Sequence, residues 1–75
     1  MACESAAVIG ANVAILRKRA KLTQKQLAEA CGISTPRISE FESGLANPTV
    51  ETLERIASEL GVTVSRLFQK PRQTA

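Results

Sequence analysis

The chain has 75 residues, of which 44% are hydrophobic, 23% charged and 3% aromatic, a composition that describes one small globular domain and excludes a large enzyme architecture. Histidine, aspartate and tyrosine are absent and cysteine occurs twice, which removes most of the groups used for metal binding and for acid–base catalysis near neutral pH. The expectation is a non-enzyme with no metal and no cofactor. Two cysteines, no charged-then-apolar signal segment and no apolar run approaching ~20 residues predict a reduced, cytoplasmic chain with no membrane span. A domain this small buries only ~60% of the surface its unfolded chain exposes, so its thin core needs well-formed helices, a staple or a partner subunit.

In chain order, residues 1–7 read as a flexible leader, residues 8–68 as the folded domain and residues 69–75 as a polar tail broken by Pro71. Ile9, Val13, Leu16 and Ala20 recur at helical spacing and predict a first helix ending near Lys21. Thr23-Gln24-Lys25-Gln26 is a capping-box pattern that opens a brief second helix, with Leu27, Ala28 and Cys31 inward and Gly32 as its stop. Ser34 then caps a third helix with Pro36 tolerated in its first turn, Ile38 and Phe41 buried and Gly44 as a stop signal. Thr49 caps a fourth helix whose inner face is Leu53, Ile56, Ala57 and Leu60, ended by Gly61. Thr63 caps a short fifth helix through Phe68, with Val62, Leu67 and Phe68 as its apolar contribution.

The net charge of +3 is modest but unevenly spread. Arg17, Lys18, Arg19, Lys21 and Lys25 form a run that no acidic residue interrupts, which suits either a polyanion or the solvated, dipole-complementing end of a helix. Downstream of it, Thr23 to Ser43 meets the demands of two short helices packed steeply across a tight turn. Ala28 is small at the crossing, Gly32 sits at the turn, Ile33 plugs the corner, and Leu27, Ile38 and Phe41 face inward.

On these residues, and on the segments IGANVAILRKRAKLTQKQLA, ISEFESG and NPTVETLERIASELGVTVSRLF, the chain resembles the helix-turn-helix domains of the lambdoid phage repressor and Cro family, also called the XRE family. The resemblance covers residues 9 to 68. It implies an all-α, five-helix, lambda-repressor-like DNA-binding domain with the helix-turn-helix at helices two and three. In that architecture the third helix enters the major groove by its N-terminus while the second crosses the backbone.

Helical spacing alone places Thr35, Pro36, Arg37, Ser39, Glu40 and Ser43 on the solvent side of the third helix, opposite Ile38 and Phe41. The resemblance implies that Thr35, Pro36, Arg37 and Glu40 read bases, and their chemistry partly agrees. Arg37 suits guanine O6 and N7, Glu40 suits the cytosine amino group, and the Thr35 methyl or Pro36 ring suits a thymine methyl. The alternative for Arg37 and Glu40 is an ordinary i,i+3 surface pair. Gln24 opens the second helix where free amides attract a phosphate, with its side chain extending that contact, or it is simply a good helix former. Thr23, Lys25, Ser39, Ser43 and Asn47 are further candidates for backbone contacts, which set register without carrying sequence information.

The resemblance further implies an architectural ion pair between Arg17 and Glu42, with Arg17 near a phosphate. Cys31 fits a small buried position. Val62, Val64, Leu67 and Phe68 either form a homodimer interface or close the monomer's own core. The implied function is a regulator binding a palindromic operator in double-stranded DNA as a homodimer, a repressor or autoregulator of the restriction–modification-controller or phage type. The competing reading is a protein-binding module such as an antitoxin. Arg66 departs from the acidic residue frequent in the family's last helix, and the reading residues are not Gln-rich, so the target sequence stays open.

Overall fold

Hydroxyl side chains start four of the five helices. In a computed structural model, which describes residues 4–69 and side chains from residue 6 onward, the described chain is α1 (Glu4–Arg19), α2 (Gln24–Cys31), α3 (Thr35–Glu42), α4 (Val50–Leu60) and α5 (Val64–Leu67), with no strand among the described residues. Thr23, Ser34, Thr49 and Thr63 lie in extended backbone just before α2 to α5, and each accepts a hydrogen bond from the amide three residues on. These amides have no partner inside their own helix, so a side-chain oxygen is worth about 1 kcal/mol at each cap. At α2 the box is closed in both directions, with Gln26 N–H donating to Thr23 Oγ1 at 3.0 Å and Thr23 N–H to Gln26 Oε1 at 2.8 Å.

The helix ends explain where the sequence pattern overruns. Leu22 N–H donates to the Arg17 carbonyl and Lys21 N–H to the Lys18 carbonyl, a left-handed stop in which Lys21 takes φ 62°. A non-glycine residue in that region costs about 1 to 2 kcal/mol. The stop ends α1 at Arg19 and turns Ala20 out to solvent, so Ala20 does not belong to the buried stripe. At the other end α1 begins at Glu4, inside the segment read as leader, and Ala6 is buried. Residues 1–3 with Cys3, and residues 70–75 of the tail, lie outside the described residues.

The core draws on every helix: Ile9, Val13 and Leu16, then Leu27, Ala28 and Cys31, then Ile38 and Phe41, then Leu53, Ile56 and Ala57, and finally Leu67. Leu22, Ile33, Leu60, Val62 and Val64 are partly buried against it. Phe68 is not a core residue. It caps α5 and is 49% exposed, because the single turn of α5 aims Leu67 inward and leaves its neighbour outside. Asn12 is the one polar side chain among the buried residues described; its Nδ2 donates to the carbonyls of Leu67 at 2.7 Å and Gln69 at 2.5 Å. It thereby ties the end of α5 and the turn after it to α1, using a donor where the carbonyls of a helix end would otherwise be unpaired.

α1 crosses α3 at Gly10, where a Cβ would fall on the Phe41 carbonyl oxygen and within 2.9 Å of that of Glu42. Those are backbone atoms, which cannot rotate away. Gly10→Ala is therefore expected to destabilise the domain by ~1 to 3 kcal/mol or more, against the small gain that alanine gives in an unobstructed helix; urea denaturation monitored by helical circular dichroism checks this.

Candidate nucleic-acid interface

The junction of α1, α2 and α3 is built on Glu42. Its Oε2 accepts from Arg17 Nε at 2.6 Å, and its Oε1 accepts from Arg17 Nη2 at 3.2 Å and from Gln24 Nε2 at 2.9 Å. Arg17 Nη1 also donates to the Leu22 carbonyl at 2.8 Å. The Arg17 and Glu42 side chains are 11% and 9% exposed, so the pair is mostly withdrawn from water and depends on this complete set of partners. The Gln24 side chain is thus turned inward onto Glu42. It does not extend from the start of α2 in the way the sequence suggested, because a buried carboxylate attracts an amide donor more strongly than solvent does.

This frame fixes where α3 points. Gly32 ends α2 at φ 73°, a conformation suited to glycine, and α3 restarts at Thr35 after the Ser34 cap. With Ile38 and Phe41 buried, Pro36 and Arg37 are exposed and Thr35, Ser39 and Glu40 are half-buried. The four residues expected to read bases therefore share the outward side of the first turns of α3. Arg37 and Glu40 also pair with each other: Nη1 lies 3.1 Å from Oε1, with side chains 52% and 47% exposed. The Arg37 guanidinium stands over the Phe41 ring at 5.2 Å from its centroid, a favourable cation–π distance.

Around this face lie the backbone candidates. Lys25 is exposed at the start of α2 and Thr23 is exposed at its cap. Ser43 is exposed beyond α3, with its hydroxyl donating to the Ser39 carbonyl at 2.9 Å, and Asn47 is exposed in the α3–α4 loop. Lys18, Arg19 and Lys21 are exposed at the end of α1. Acidic groups gather elsewhere: Glu51, Glu54 and Glu59 line an open groove of about 410 Å³ on α4 with Arg55. That groove shares no residue with the α3 face.

Of the C-terminal apolar candidates, Leu67 is fully buried in the domain's own core and offers no surface to a second subunit. Val62 and Val64 are half-buried against the core, and Phe68 alone of the four is exposed. Cys31 is buried, and its thiol is pushed above its ordinary value by burial and by Glu59, with Arg55 acting in the opposite direction. Little thiolate forms there near neutral pH, which suits packing and not redox chemistry. Among the described residues no cluster of ligating side chains could hold a metal ion, and no helix is long and apolar enough to cross a membrane.

Residues 13–67 match the model of the HTH_3 helix-turn-helix family. The chain belongs to this helix-turn-helix family. The family is one of DNA-binding transcription regulators and not of enzymes. The chain is 39% identical over 59 residues to the immunity repressor protein of Bacillus phage phi105, covering 79% of this chain and 41% of that one. It is 43% identical over 54 residues to the HTH-type transcriptional regulator DdrOP3 of Deinococcus deserti, covering 72% and 42%. The chain thus spans about two fifths of the length of these two relatives. Its fold superposes on the biofilm master regulator SinR, solved in complex with DNA, with a TM-score of 0.77 and 31% identity over 81% of this chain and 98% of that one.

Glu42→Ala would leave the Arg17 guanidinium nearly buried without its counter-charge, and is expected to cost about 3 kcal/mol or more. Arg37→Ala, which breaks the exposed pair and the contact with the Phe41 ring, is expected to cost about 1 kcal/mol. Chemical denaturation of both variants at low and at high salt checks the contrast, since the Glu42 loss should persist at high salt.

Proposed function

We propose that this chain is a transcription regulator that binds a two-fold symmetric operator in double-stranded DNA as a homodimer. The observation that carries the reading is the exposed N-terminal face of α3, held by the Arg17–Glu42–Gln24 junction beside the first amides of α2 and the exposed Lys25. Each subunit would place α3 in one of two successive major grooves about 34 Å apart. Thr35, Pro36, Arg37 and Glu40 then face base edges. Lys25, Thr23, Ser39, Ser43 and Asn47, together with the first amides of α2, meet phosphates; the Gln24 side chain stays on Glu42. Support comes from the phage relative, whose name is that of an immunity repressor, and from the neighbour solved on DNA.

Within this reading the protein is a repressor or autoregulator of the phage or restriction–modification-controller type, acting in the cytoplasm where its DNA lies. Phe68, with the half-buried edges of Val62 and Val64, supplies the apolar contact between subunits. A thin core gains from such burial, and a second copy doubles the phosphate contacts of a small module.

Selection of bound duplexes from a random pool is expected to return a palindrome bound at least ~1000-fold more tightly than scrambled DNA. Affinity for that duplex should fall steeply with salt, and Lys25→Ala should weaken binding to every sequence alike while flattening the log–log salt slope by ~1. Absence of enrichment, with binding insensitive to salt, would instead direct attention to a protein partner, an antitoxin-like role included.

A further inference from the structure

The Arg37 guanidinium is held at two points: its Nη1 donates to Glu40 Oε1 at 3.1 Å, and it lies over the Phe41 ring. Yet 52% of its side chain and 47% of that of Glu40 face solvent. The pair therefore presents an ordered edge on which the remaining guanidinium donors stand directly beside a carboxylate acceptor.

We infer that Arg37 and Glu40 act as a single reading unit for one G·C base pair, taken in one orientation. This rests on the DNA-binding reading above and deepens it. Across the major groove a G·C pair shows two acceptors, guanine N7 and O6, followed by one donor, the cytosine amino group. A guanidinium flanked by a carboxylate shows the complement: donors, then an acceptor. An A·T pair alternates acceptor, donor and acceptor, and so meets one of the two groups with a like partner whichever way it is turned. The reversed C·G pair places its donor against the guanidinium. Glu40 has a second consequence. Its charge offsets that of Arg37 and repels phosphates, so the pair adds little to binding where no base edge matches it.

The test is a double-mutant cycle read by duplex selection and by affinity for the selected and scrambled duplexes, with wild type, Arg37→Ala, Glu40→Ala and the double variant. Both side chains are about half exposed, and thermal melts check that all four proteins are folded at the temperature of the binding assay. Wild type is expected to fix G·C at one position in each half-site and to lose about tenfold or more in affinity when that pair becomes A·T. Each single variant and the double variant should lose the preference at that same position to the same extent, and Glu40→Ala should bind scrambled DNA more tightly than wild type. Retention by Glu40→Ala of the preference that Arg37→Ala loses would overturn the inference, as would relaxation of two different base pairs. With an enriched wild-type duplex, either result removes the reading unit and leaves the regulator standing. No enriched duplex for wild type would remove both.

Discussion

A carboxylate taken almost wholly out of water must be matched by donors, and in this domain the matching of Glu42 sets the relative placement of three helices. Arg17 reaches it from α1 and Gln24 from α2, while Glu42 itself ends α3. Because Arg17 also holds the Leu22 carbonyl, the turn between α1 and α2 is drawn into the same set of bonds. A shift of any one helix would break charge-assisted hydrogen bonds in a poorly solvated place, where they are stronger and their loss more costly. The close crossing at Gly10 acts alongside it from the apolar side, letting α1 lie against the carbonyls of Phe41 and Glu42.

With α3 held from behind, its outward face is decided by subtraction. Ile38 and Phe41 are committed to the core and Glu42 to the junction, so the remaining side chains of the first two turns are the ones turned towards solvent. The α2 cap has a related effect. It satisfies the Gln26 amide internally and leaves the first amides of the helix, flanked by Lys25 and the end of the basic run, as the positive pole nearest to α3.

Much of this was legible in the sequence because it is local. Thr23, Ser34, Thr49 and Thr63 stand where their hydroxyls must act, and Gly32 and Gly61 mark left-handed stops. The end of α1 was not legible for the complementary reason: the same stop is built on Lys21, a residue with no intrinsic preference for it. Ala6 and Asn12 lie on the stripe of Ile9, Val13 and Leu16, three residues before Ile9 and three after it, and that register was the available signal for both. The role of Asn12 is not legible there, because a polar residue at such a position looks solvated until the carbonyls of Leu67 and Gln69, more than fifty residues away, are brought to its amide. The direction of Gln24 and the choice of Leu67 over Phe68 for the core depend likewise on tertiary placement. The four residues expected to read bases share one face because their positions follow from the period of a single helix.

The domain uses the same two chemical groups, a guanidinium and a carboxylate, in two settings that differ mainly in burial. At 11% and 9% exposure, the Arg17–Glu42 pair cannot exchange partners without a loss of about 3 to 5 kcal/mol, so it serves as frame. At 52% and 47% exposure, the Arg37–Glu40 pair contributes under about 1 kcal/mol to folding, less than the ~1 to 3 kcal/mol that a well-matched base contact returns. An exposed pair of that kind keeps its remaining donors and acceptors turned to solvent at little cost to stability. Under the proposed function the buried pair makes the exposed one useful, since a side chain reads a base only if the helix carrying it arrives at the groove in a fixed position.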